Sequence, residues 1–165
     1  MNKEIMMIAA IAKNYVIGQN TINEDGTETY SIPWDFIPED MKRFKAHTKD
    51  TSLIMGRKTY ESLPGTLKYR QNIIMTKQEM EPQNGIYIAK SIEDAIAQAT
   101  QEKISVMGGS EIYKLFLPLA NRLEITRINL EPEGNVFFPE FNLNEWNLTN
   151  REDRDFCAFE TYIRK

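Results

Sequence analysis

Apolar and polar positions fall into short blocks along this chain. Ile5 to Ala12 is an unbroken apolar run, the pattern of a strand buried on both faces. Ser52–Met55, Asn72–Thr76, Ile86–Ala89, Ile104–Met107 and Leu123–Ile128 read as further strands. Helix-like stretches lie between them. Pro38 suits a first helical turn, where its missing N–H does no harm. A helix over Pro38–Thr48 places Asp40, Phe44 and Thr48 on one stripe, and Phe44 turns that stripe inward. A second helix follows Gly56 over Lys58–Ser62. Ser91 and Asp94 make a capping box that opens a helix to about Thr100, with Ile92, Ala95, Ile96 and Ala99 on one face. A fourth helix follows Gly108-Gly109 and runs to Phe116, stopped before Pro118. Gln19–Ile32 is polar and reads as a long loop. Its turn residues Asn23-Glu24-Asp25-Gly26 and the strand formers over Thr27–Ile32 leave room for a small hairpin. The tail reads as two strands, Trp146–Thr149 and Phe156–Ile163, joined by a charged turn.

Short buried strands alternating with helices predict an α/β fold with a mostly parallel central sheet and helices on both faces. The late strand pair predicts an antiparallel C-terminal edge. Ligands in such sheets bind beyond the carboxyl ends of the strands. That rule picks out Gly18, Gly56, Thr76 and Gly108-Gly109. No repeat, low-complexity tract or linker interrupts the chain. Its 165 residues are a natural size for one domain with a full core, so residues 1–165 are expected to form a single domain.

The net charge of −4 and a pI of about 5.2 argue against nonspecific nucleic-acid binding, which needs a basic surface. They leave room for an anionic small ligand held by local cations. The single Cys157 cannot form an internal disulfide and fits a reducing compartment. One His and one Cys offer no metal-ligand cluster, so no metal is expected. No apolar run approaches the ~20 residues of a membrane span. Met1-Asn2-Lys3-Glu4 lacks the apolar region of a signal peptide, and the expected location is cytoplasmic.

Asp40 is the first chemical candidate, because an acid on an inward stripe is costly unless paired or used. With so few other acid–base groups, a carboxylate is the expected centre of any such chemistry. Met107-Gly108-Gly109-Ser110-Glu111-Ile112-Tyr113 is a strand, two glycines and a helix start, which lets a ligand approach the backbone. It is neither a P-loop nor G-x-G-x-x-G, and a tight turn is the plainer alternative. Arg57 and Lys58 stand at a helix N-terminus, where cations oppose the helix dipole. A phosphate group explains them, with Thr76 and Lys77 adding a hydroxyl and a third cation; a solvated basic turn is the alternative. Arg70 can grip a carboxylate bidentately or simply be exposed. His47 falls on the polar side of its helix and reads as surface. Trp34 reads as a loop anchor or as an N–H that holds a water or ligand.

In this order the segments resemble the dihydrofolate reductase family. Ile8-Ala9-Ala10-Ile11-Ala12 with Val16-Ile17-Gly18, Pro33-Trp34, Pro38-Glu39-Asp40 and Ile54-Met55-Gly56-Arg57-Lys58-Thr59-Tyr60-Glu61-Ser62 carry the likeness. Arg70-Gln71-Asn72-Ile73-Ile74, Met107-Gly108-Gly109, Ile112-Tyr113 and Phe138-Pro139 extend it through nearly the whole chain. The resemblance implies reduction of dihydrofolate by NADPH, by hydride transfer to pterin C6 with a proton added at N5. It implies that Asp40 binds the pterin 2-amino group and N3 with support from Thr126, and that Trp34 helps place a water. Ile8, Ala10, Met41, Phe44, Leu67 and Met107 would line the substrate groove, and Arg70 would take the glutamate α-carboxylate. Gly56, Arg57, Lys58, Thr59, Met75, Thr76, Lys77 and Lys90 would surround the adenosine end of NADPH. Ala10, Ile17, Gly18, Gly108, Gly109, Ser110, Glu111, Ile112 and Tyr113 would hold its nicotinamide and pyrophosphate, with a cis peptide between the two glycines. The expected partners are these small molecules, with no nucleic acid or membrane, and the expected state is a monomer.

Several segments depart from the family pattern. The stretch between Gly18 and Pro33 is several residues longer, with Ile32 as candidate cover for the nicotinamide. One extra residue separates Trp34 from Pro38, the Pro64–Arg70 loop is shorter, and Asn135 stands where an Asp is common. Two other readings are a pyrimidine reductase of riboflavin biosynthesis and a catalytically silent NADPH- or pterin-binding module. The acid, Arg70 and the intact glycine pair speak for the first assignment.

Overall fold

The opening apolar run forms β1 (Glu4–Ala12), an inner strand of an eight-stranded sheet. The structure, a computed structural model, describes residues 3–165. β1 lies between β7 (Lys103–Val106) and β8 (Arg122–Ile128) and is parallel to both. Beyond β7 come β4 (Ser52–Gly56), β5 (Gln71–Met75) and β6 (Ile86–Ala89), each parallel to its neighbour. Beyond β8 come β11 (Cys157–Arg164) and β10 (Trp146–Asp153). β11 runs antiparallel to both of its neighbours and creates the reversed edge that the sequence predicts. β10 continues to Asp153, past the expected end at Thr149, because its polar residues pair with β11 at an exposed edge.

Helices cover both faces. On β4, Ile54 packs with Ala95 and Ala99 at α3 (Ile92–Gln98) and with Tyr113 and Phe116 of α4 (Ser110–Phe116). Its neighbours Leu53 and Met55 point the other way and join Ile74, Tyr60, Leu67 and Met107. Tyr60 belongs to α2 (Arg57–Glu61). A third cluster packs Ala10, Trp34 and Ile37 on Ile128, Cys157 and Phe159, at the start of α1 (Pro38–Thr48). Burial on both faces is why these strands read as unbroken apolar runs. The Ser91 hydroxyl accepts from the Asp94 N–H at 3.0 Å, as expected of a cap. The Asp94 carboxylate accepts from the Lys90 N–H rather than that of Ser91. α3 ends at Gln98, since Ala99 turns extended.

The polar stretch after Gly18 does form a hairpin, of β2 (Val16–Ile22) and β3 (Glu28–Ser31). The sequence did not suggest that β2 also pairs with a two-residue strand, β9 (Val136–Phe137). Asn135 fixes this junction. Its amide donates to the Asn20 carbonyl at 2.9 Å, and its oxygen accepts from the Asn20 N–H at 2.7 Å. Gly134 passes so close that an added Cβ would stand 2.4 Å from Val16 Cγ1.

Candidate active site

Asp40 stands in the first turn of α1 and faces β8. The Thr126 hydroxyl donates to Asp40 Oδ1 at 2.6 Å. Burial pushes the Asp40 carboxyl above its ordinary range, opposed by the Thr126 bond and by the charge of Arg43. On the same stripe Phe44 is half-buried and Thr48 fully buried. An ionisable acid is thereby held in a partly dry place with one tailored donor.

Arg43 is the second link between α1 and β8. Its guanidinium pairs with Glu124, which is fully buried and also accepts from Arg122 at 2.8 Å and from the Thr161 hydroxyl at 2.8 Å. His47 Nε2 lies 3.7 Å from the same carboxylate. His47 is therefore half-buried in a charged network, not a surface residue on the polar side of α1. Burial lowers its pKa, with Arg43 and Arg122 adding to the effect and Glu124 opposing it. An open cavity of about 920 Å³ lies over this network, lined by α1, β10 and β11, and includes Arg43 but not Asp40.

Arg70 is not a free loop cation. Its Nε donates to the Thr48 hydroxyl at 3.0 Å and an Nη to the Lys45 carbonyl at 2.8 Å, so it closes the C-terminal turn of α1. A third bond goes to the Lys68 carbonyl. Two of its five N–H donors are left for a ligand. Leu67 and Met107 share one apolar cluster, while Ala10 and Trp34 belong to another. Ile8 is buried on β1, and Met41 is partly exposed.

The glycines bring the ends of β4 and β7 together. The Gly56 N–H donates to the Gly108 carbonyl at 2.8 Å. The Gly108–Gly109 peptide is cis, and Gly108 has φ +113°. A Cβ on Gly108 would meet the Tyr113 ring at 3.1 Å, and one on Gly56 would meet Ile112 at the same distance. Tyr113 is buried, and its hydroxyl donates to the Ile8 carbonyl at 2.7 Å. Neither α2, which starts after Gly56, nor α4, which starts after Gly109 at Ser110 and Glu111, has a side-chain cap, so first-turn N–H groups are left for a ligand.

Three of the four cations assigned to the cofactor already have partners. Arg57 pairs with Glu61 at 3.2 Å, and Lys90 with Glu79 at 3.2 Å. Lys58 pairs with Glu28 of β3 at 2.9 Å. Lys77 is exposed next to Thr76, whose hydroxyl accepts from the Gln78 N–H at 3.2 Å. Thr59 Oγ1 lies 3.6 Å from where a Gly109 Cβ would be. The Met75 side chain packs into the core, which leaves only its backbone to serve the site. The sequence reading missed Glu28, Tyr30, Arg43 and Glu124. Tyr30 and Ile32 are both exposed, but the Tyr30 hydroxyl donates to the Ile17 carbonyl at 2.9 Å. A lone Tyr in a polar loop carries no signal for this.

A half-buried acid held between α1 and β8, and paired glycines where the ends of β4 and β7 meet, are the arrangement of an α/β enzyme. The chain matches the dihydrofolate reductase family model over residues 4–163. It is 40% identical to a dihydrofolate reductase of Neisseria meningitidis, over 98% of each chain. It is 37% identical to dihydrofolate reductase HdrB of Haloferax volcanii, over 97% of this chain and 83% of that one. A dihydrofolate reductase of Haemophilus influenzae is 32% identical, over 96% of this chain and 98% of its own. The chain belongs to the dihydrofolate reductase family and is an oxidoreductase.

Proposed function

We propose that the protein reduces 7,8-dihydrofolate to 5,6,7,8-tetrahydrofolate with NADPH. The observation that carries this is Asp40, a half-buried carboxylate held by Thr126 at 2.6 Å beside the end of β8. A carboxylate so placed pairs with the amidine-like edge of a pterin through two hydrogen bonds. Its proximity favours the protonatable form of the substrate. Trp34, on the neighbouring cluster, helps place the water that delivers the proton to N5. Arg70, anchored on α1, offers its remaining donors to the carboxylate of the glutamate tail. Ile8, Ala10, Met41, Phe44, Leu67 and Met107 supply the apolar walls.

The residues present fit a phosphorylated nicotinamide nucleotide. The glycines let the ends of β4 and β7 meet at a cis peptide, Gly109 having room for a Cβ at ordinary contact distance, and α2 and α4 start there without side-chain caps. Arg57, Lys58, Thr59, Thr76, Lys77 and Lys90 would hold the adenosine end and its 2′-phosphate, along the backbone of Met75. Ala10, Ile17, Gly18 and the segment Gly108 to Tyr113, with Ser110, Glu111 and Ile112, would hold the rest. When bound, this cofactor supplies the hydride. The chain's part is positioning and electrostatics. The same reading takes residues 1–165 as one domain, acting as a monomer in the cytoplasm without nucleic-acid or membrane partners.

Dihydrofolate-dependent oxidation of NADPH by the purified protein tests this, with NADH and Asp40→Asn as controls. Turnover that falls at least about a hundredfold in Asp40→Asn at neutral pH is expected. NADPH binding without turnover of dihydrofolate would overturn the substrate assignment.

A further inference from the structure

Two side chains of β3 reach residues assigned above to the cofactor, Lys58 and the Ile17-Gly18 backbone, and the inference rests on that assignment. Side chains alternate along a strand, so Glu28 and Tyr30 project from the same face of β3. Glu28 Oε2 pairs with Lys58 Nζ at 2.9 Å. The Tyr30 hydroxyl donates to the Ile17 carbonyl at 2.9 Å. Its ring covers Gly18 so closely that a Cβ there would stand 2.3 Å from Tyr30 Cε2. Burial pushes the Tyr30 phenol up. One strand face thus sets a carboxylate on a cation and an aromatic ring over the backbone of Gly18. A phosphorylated nicotinamide nucleotide presents the same two features, an anion and a planar ring.

We infer that Glu28 and Tyr30 determine cofactor affinity and specificity by occupying, in the free protein, two positions that NADPH needs. The two act at different ends. A 2′-phosphate must displace Glu28 from Lys58. A 2′-hydroxyl need not, and can instead donate to that carboxylate. Glu28 therefore narrows the preference for NADPH over NADH. Tyr30 opposes both cofactors equally, because the nicotinamide is common to them.

Titration calorimetry on the whole protein with NADPH, NADH and 2′,5′-ADP tests both ends. Glu28→Gln is expected to tighten NADPH and 2′,5′-ADP by about two- to fivefold, the range of an exposed ion pair, and not to tighten NADH. Tyr30→Ala is expected to tighten NADPH and NADH alike and to leave 2′,5′-ADP unchanged. Tyr30→Phe, which keeps the ring and loses only the bond to Ile17, should fall between Tyr30→Ala and the unsubstituted protein. Circular dichroism and a urea midpoint establish that each variant is folded. Unchanged NADPH affinity in folded Glu28→Gln and Tyr30→Ala overturns the inference and leaves the proposed function standing. Weaker NADPH binding in Tyr30→Ala overturns it too, by making Tyr30 a wall of the site. If the unsubstituted protein binds neither NADPH nor 2′,5′-ADP, the cofactor assignment fails and the inference with it.

Discussion

Asp40 accepts a hydrogen bond from Thr126 at 2.6 Å across the gap between α1 and β8, although 86 residues separate them in the chain. That bond favours the charged carboxylate against the burial that disfavours it. Thr126→Val removes the donor and keeps the shape. The Asp40 carboxyl should then rise further, and the pH profile of kcat/KM should move its Asp40-controlled limb to higher pH. An unmoved profile would mean that Asp40 does not control the limb.

Asp40 also carries a cost in stability. Its folded pKa lies above the ordinary 3.8 because of burial. Folding is therefore most favoured below that value, and the advantage is lost as pH rises through the folded value. Asp40→Asn still accepts from Thr126 and cannot ionise. It should raise the thermal midpoint at neutral pH while abolishing activity, and the gain should disappear below about pH 3.8. Thermal melts of both proteins across pH check this.

Glu124 is the shared acceptor of Arg43, Arg122 and Thr161. Glu124→Ala leaves two guanidinium groups without their buried partner and should cost about 3–5 kcal/mol in urea unfolding. Glu124→Gln retains acceptor capacity and should cost less.

How far the sequence foretold this site depended on what each signal measures. The bounds of α1 and the Ser91 cap were legible because proline and hydroxyl signals are local. The burial of Glu124 was not. In Leu123-Glu124-Ile125-Thr126 the polar residues alternate with apolar ones, as on a strand with one wet face. α1 covers that face, and no local pattern reports the covering. His47 was misread for the same reason, since its partner lies on β8. β9 is two residues long, too short for any period to show.

Arg70 serves both α1 and the proposed substrate tail. Arg70→Ala should raise the KM for dihydrofolate by about ten- to a hundredfold, the value of charge-assisted bonds to a carboxylate. Dihydropteroate, which lacks the glutamate, should be turned over by the variant as well as by the unsubstituted protein. An equal loss with both substrates would make Arg70 only a brace for α1.

Asn135 both donates to and accepts from the Asn20 backbone. Asn135→Asp keeps the acceptor and loses the donor. It should loosen the hairpin by about 1 kcal/mol, seen as faster amide exchange over β2 and β3 with little change in β1.

The placement of β1 has a consequence for synthesis. β1 emerges from the ribosome well before either of its neighbours, which begin at Lys103 and Arg122. A chain stalled before residue 100 therefore carries its first apolar strand with both hydrogen-bonding edges unsatisfied. Such an edge invites pairing with other chains. The nascent protein has to keep Ile5–Ala12 apart from other chains until β7 and β8 arrive.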